Sequence, residues 1–246
     1  MKAAGKSTMN ELLVSALRAH GGLERWTSFS HAAATLISGG ELLDRKAPQA
    51  PEPRRVTVGT EEEASSITPF GGADKLARFT PERVTIETLD GKVLAERTNP
   101  REHFSGHDLN TPWDPLDRAY FGGYTQWIYL NAPFALALPG VALEEVAPLE
   151  QGDEMWRALR VIFPPTIASH SPVQTFYFGD DFLLRRQDYT LDIAGGGYVA
   201  NYAYDLVDVN GLRVPGRRRA YLCDENGQVL EDRQLIWIDY TDIEFS

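Results

Sequence analysis

One stretch, Trp113 to Gly140, limits what this chain can fold into. Asp114-Pro115 is a helix start. The carboxylate accepts from free N–H groups of the first turn, and Pro at the first helical position gives up no hydrogen bond. Leu116, Tyr120, Gly123, Trp127 and Leu130 then recur in steps of four and three, with Phe121, Tyr124 and Ile128 in a second row. A helix apolar over so much of its circumference must be covered on more than one side. Pro133 ends it, because Pro disfavours helical geometry in the residue before it.

What covers the helix reads as β-structure. Arg83–Leu89 and Lys92–Thr98 flank an Asp90-Gly91 turn. From Met155 onward the chain alternates strand patterns with turn signals at Gly179-Asp180, Asn210-Gly211 and Asn226-Gly227. Meander spacing predicts an antiparallel sheet of roughly eight to eleven strands. Thr8 to Glu11 fits a capping box for a short N-terminal helix, which Gly21-Gly22 stops. Ala132 to Pro148 reads as the way out of the central helix. The fold class expected is α+β: a curved, mostly antiparallel half-barrel sheet wrapped around a central helix, as a single domain over residues 1–246.

Charge and cysteine content exclude several functions. With 24 Lys plus Arg against 35 Asp plus Glu, the formal net charge is −11, so there is no electrostatic footprint for nucleic acid or an anionic membrane surface. Cys223 is the only cysteine, which rules out an internal disulfide and a Cys-rich metal site. No run is long enough to insert stably in a bilayer as a helix. The apolar run Leu12–Ala19 contains Arg18 and precedes no clear cleavage site, so the chain reads as cytoplasmic.

Four stretches together carry a family resemblance. They are Ala19-His20-Gly21-Gly22-Leu23-Glu24-Arg25-Trp26; Trp113-Asp114 with Tyr120-Phe121, Trp127, Pro133-Phe134 and Pro139-Gly140; His170-Ser171 with Gln174, Tyr177, Leu184-Arg185-Arg186 and Asp188-Tyr189; and Gly211-Leu212-Arg213-Val214-Pro215 with Arg217-Arg218-Arg219 and Tyr221. The chain resembles a group of uncharacterised bacterial proteins. More distantly, it is similar to the outer-membrane lipoprotein carrier and sorting proteins. That resemblance implies an open sheet lined with apolar side chains, plugged by helices, and a cavity for acyl chains.

Several constellations bear on chemistry. The central aromatics offer apolar bodies with polar handles, suited to an amphipathic ligand or to filling a core. Tyr124, Trp127, Trp156, Tyr177 and Trp237 are the candidate ligand-lining residues, with His170 and Arg185 as polar anchors. The Gly179-Asp180 turn pairs its flanking strands and brings His170 towards Asp188 to Thr190. His170, Asp188 and Tyr189 are therefore the candidate catalytic set, weighed against an ordinary cross-strand polar network. His103 and His107 have zinc-like spacing, but Gly106 and the nearby prolines point to a loop, so no metal is expected. In Arg217-Arg218-Arg219, alternation sends Arg218 to the opposite face from its neighbours. No cofactor motif is present. The function expected is binding or carrying a hydrophobic small molecule or lipid between helix and sheet. The alternatives are acid–base catalysis on such a ligand, or a structural role without one.

Overall fold

The computed structural model describes residues 9–246. Thirteen strands form one curved, unclosed antiparallel sheet. In chain order they are β1 (His31–Gly39), β2 (Arg54–Gly59), β3 (Ser65–Thr68), β4 (Lys75–Thr80), β5 (Arg83–Thr88), β6 (Val93–Thr98), β7 (Ala142–Gln151), β8 (Glu154–Ile162), β9 (Val173–Phe178), β10 (Leu184–Leu191), β11 (Gly197–Val209), β12 (Leu212–Cys223) and β13 (Val229–Phe245). The helices are α1 (Glu11–Ala19), α2 (Leu23–Trp26), α3 (Glu41–Lys46) and α4 (Pro115–Asn131).

The strand order explains why a buried helix sits mid-chain. Strands β1 to β6 step outward to one edge of the sheet, and β7 to β13 step inward from the other. The chain must therefore pass from edge to edge between β6 and β7, and α4 lies on that passage, packed mainly on β2 to β5. The first and last strands, β1 and β13, pair at the middle.

Local chemistry fixes α4. Asp114 and Asp117 close a capping box, each carboxylate accepting the other's backbone N–H at 2.9 and 3.1 Å. Gly123 lets the helix lie against β4: a Cβ there would stand 2.3 Å from Cγ of Phe79. Tyr120, Tyr124, Trp127 and Tyr129 are all buried. The Trp127 indole N–H donates to the Glu62 carbonyl at 3.0 Å.

Three expectations need correction. The cap of α1 is Asn10, whose side chain accepts from Leu12 and Leu13 N–H at 2.9 and 3.2 Å; Thr8 lies outside the described residues. The way out of α4 contains an edge strand, β7, whose charged, exposed residues and Pro148 hid it. The sheet has thirteen strands rather than eight to eleven, and strand β3 and helix α3, of four and six residues, are too short to show a period.

Candidate functional site

The inner face of the sheet, towards α4, holds a polar hub. His170 lies in the β8–β9 connection and is fully buried. Its Nδ1 meets the Tyr124 hydroxyl at 3.2 Å and its Nε2 the Tyr129 hydroxyl at 3.1 Å. Tyr129 reaches the Tyr189 hydroxyl at 3.1 Å, and the Tyr189 ring stacks on the imidazole at 3.8 Å. Burial, with the charges of Arg101 and Arg218, holds His170 well below the usual imidazole range, so it is neutral. Burial likewise pushes the Tyr129 phenol up to about 12.

The four resembling stretches meet around α4. Trp26 donates to Asn131 Oδ1 at 3.1 Å and stacks on Phe134 at 5.6 Å. His20 accepts the Leu184 N–H through Nε2 at 3.0 Å, and its Nδ1 lies 2.7 Å from the Arg213 carbonyl, which makes Nδ1 the protonated nitrogen. Burial lowers His20 to about 4. Arg218 lies 4.5 Å over the Tyr129 ring.

Strand parity divides the residues predicted from the sequence. Tyr124, His170 and Tyr189 come together on the inner side, where Trp127 is also buried but turned to the Glu62 carbonyl. Asp188 does not join them. It lies on the outer face, where it accepts two hydrogen bonds from Arg186 at 2.5 and 2.8 Å, because consecutive strand residues point to opposite faces. Burial raises the Asp188 carboxyl against the pull of Arg186.

Tyr177 and Trp156 share that outer face, packed around Arg186 and Tyr202. Trp237 is also outside, covering Gly39, where a Cβ would stand 2.8 Å from the indole. Arg185 pairs with Asp181 at 2.9 Å beside the β9–β10 turn. These four residues therefore line no common space with Tyr124 and Trp127.

His103, Asp114 and Asp117 gather their ligand atoms within 4.8 Å of one another. Arg97 already supplies a cation to both carboxylates, at 2.6 and 2.7 Å, and the same carboxylates close the helix cap. The cluster is thereby explained as the start of α4.

Sequence reasoning passed over one crevice. It lies between α4, α3, β1 to β3 and β13, lined by Leu36, Leu43, Ile67, Phe70, Phe121 and Ile236, with an accessible volume of about 50 Å³. Two buried arginines, Arg54 and Arg118, also border it. Arg118 donates to the Ala47 carbonyl at 3.0 Å, and burial beside Arg54 lowers it to about 10. Arg54 donates to Gln49 and Glu52, both at 3.1 Å. The proline-bearing segment 47–53 is thus tied to the body through these two guanidinium groups. The only signal in the sequence was an arginine at an inward β position beside that segment.

The fold is shared with solved structures. A DUF1329 family protein from Desulfovibrio piger superposes with a TM-score of 0.56 at 9% identity, covering 96% of this chain and 92% of that one. A domain assigned to outer membrane lipoprotein sorting, from Vibrio parahaemolyticus, gives 0.52 at 8% identity, covering 93% of each. A LolA superfamily protein from Nitrosomonas europaea gives 0.48 at 8% identity over 91% of each. No family profile matches the sequence, and no curated protein matches it. The lipoprotein-carrier-like fold expected from the sequence is thus present in the structure.

The same likeness overturns the cytoplasmic expectation, because its outer-membrane lipoprotein-sorting members point outside the cytoplasm. The apolar run Leu12–Ala19 has a structural cause: Leu12, Leu13, Ala16 and Leu17 are the buried face of α1.

Proposed function

We propose that the protein binds and carries a hydrophobic or amphipathic small molecule or lipid outside the cytoplasm, taking its apolar part into the crevice between α4 and the sheet. One observation carries this reading: an apolar crevice bordered by two desolvated guanidinium groups whose partners belong to a loop. An apolar interior rewards burial of alkyl surface at roughly 25 cal/mol per Å² before ordering costs. A carboxylate or phosphate head would satisfy Arg118 better than the Ala47 carbonyl, because charge-assisted pairs are the stronger ones, and at Arg54 it would replace the Glu52 carboxylate.

The crevice must open for this. Its volume of about 50 Å³ is far below the roughly 300–1,000 Å³ typical of small-molecule sites. An anionic head that captures Arg118 from Ala47, and Arg54 from Gln49 and Glu52, releases segment 47–53 in the same step. Entry and opening are then coupled through the same hydrogen bonds.

Catalysis by His170, Asp188 and Tyr189 draws no support from this geometry. Both imidazole nitrogens are engaged by tyrosine hydroxyls, and Asp188 lies across the sheet. A titration with a fluorescent fatty acid tests the carrier reading. The expected result is one saturable site, weakened about tenfold in Arg118→Met, the loss of one charge-assisted contact. No saturable binding by the wild type would contradict it.

A further inference from the structure

Arg218 is an unusual residue for its surroundings. It projects from β12 onto the inner face with 1% of its surface exposed. Among the described residues no carboxylate pairs with it. Its Nη2 donates to the Tyr129 carbonyl at 3.2 Å, while Nε and Nη1 have no hydrogen-bond partner. Burial lowers its proton affinity but leaves guanidinium the dominant form.

The neighbouring strands continue the pattern. Asn201 on β11 lies diagonally across from Arg218 and is fully buried; its amide is turned towards the Tyr129 hydroxyl but makes no close hydrogen bond. Gln187, opposite Asn201 on β10, is held by Gln174 at 2.6 Å through its Nε2, which leaves its Oε1 free. A polar row therefore crosses β9 to β12 beneath Tyr129.

The unpartnered atoms are unbalanced in charge. Arg218 offers one N–H on Nε and two on Nη1, and Asn201 two more on Nδ2. Against these stand the carbonyl oxygens of Asn201 and Gln187, with two lone pairs each and no charge. A fixed positive charge whose polar neighbours are all neutral calls for an acceptor that is itself negative. A buried guanidinium without such a partner is a large desolvation loss.

We propose that Arg218, Asn201 and Gln187 form an internal binding site for a small monoanionic group of carboxylate type, either a free anion or the head of an acyl chain. The site is separate from Arg54 and Arg118, which border the crevice, so it stands or falls independently of the crevice reading. The two are near each other: Ile238, the cross-strand partner of Arg218, lines the crevice, as does Gln126, which accepts from Tyr240. An acyl chain whose head reaches Arg218 would have its tail within reach of the crevice.

The test is thermal unfolding in sodium acetate titrated against sodium morpholinoethanesulfonate at constant ionic strength, the latter anion being too bulky to enter. Wild-type protein should show a saturable rise in Tm of about 5 °C or more. Arg218→Met should lose the rise, and without acetate it should melt no lower than wild type, since an apolar side chain replaces an unpaired buried charge. Arg219→Met should keep the rise, because Arg219 pairs with Asp239 on the outer face.

Dodecanoate acting at far lower concentration than acetate identifies an acyl head; equal potency identifies a free anion. If Arg218→Met does not fold, bromide anomalous diffraction from wild-type crystals decides, with a peak beside Nη1 expected. An acetate-independent Tm, or density showing only water around Arg218, would overturn the proposal.

Discussion

At the scale of single residues, the interior is set by groups held in the wrong charge state for water. Glu63 follows β2, with Oε2 accepting the Ala168 N–H at 2.9 Å and Oε1 unpartnered. Burial pushes it up to about 9, so it is a neutral acid at pH 7. Because its folded pKa is raised, its contribution is complete below the ordinary glutamate range and is lost as pH rises towards 9. Glu63→Gln should therefore remove a stability loss of up to about 1.4 kcal/mol per pH unit between roughly pH 5 and 9. Urea denaturation across that range measures it, and an unchanged slope would show that Glu63 is already ionised.

His20 works in the opposite sense. Its folded pKa is depressed to about 4, so its contribution is present above the ordinary histidine value and is lost as pH falls towards 4. His20→Ala strands the Leu184 N–H and the Arg213 carbonyl. A loss of roughly 2–4 kcal/mol is expected in urea denaturation at pH 7. Of these groups the sequence marked His20 and His170 but not Glu63, which sits in a run of three glutamates that reads as a solvated strand end.

At the scale of elements, α4 was legible because its boundaries are chemical: Asp114-Pro115 opens it and Pro133 follows its close. What the sequence concealed was how near the helix lies to the sheet. A Cβ on Gly123 would press into the Phe79 ring at 2.3 Å, while one on Gly122 would meet only the mobile end of Ile67 at 3.0 Å. Gly123→Ala should cost roughly 2 kcal/mol or more, and Gly122→Ala should be near neutral, offset by better helix propensity. Equal effects in thermal unfolding would mean that α4 sits farther from β4.

Strands were read through turns, so β11, β12 and β13 were visible from Asn210-Gly211 and Asn226-Gly227. Strand β7 was not, because an exposed edge lacks the apolar alternation that marks a half-buried strand. Parity was the weaker inference. It separated Arg218 from Arg217 and Arg219 correctly, yet Trp156, Tyr177 and Trp237 were grouped with Trp127 by residue type alone.

At the scale of the whole molecule, an open sheet closes over one helix, and the space it encloses is almost full. The aromatics Tyr124 and Trp127 are packed, and the apolar crevice lies along the side of α4 towards β1 and α3. A filled half-barrel differs from a carrier only in whether that room can open.

Native mass spectrometry of the protein, as isolated and after exposure to a lipid panel, measures this most directly. The account predicts a stoichiometric adduct of an acyl-bearing or similarly amphipathic molecule, depleted in Arg118→Met. A clean protein mass under both conditions would contradict it and leave the crevice as ordinary packing.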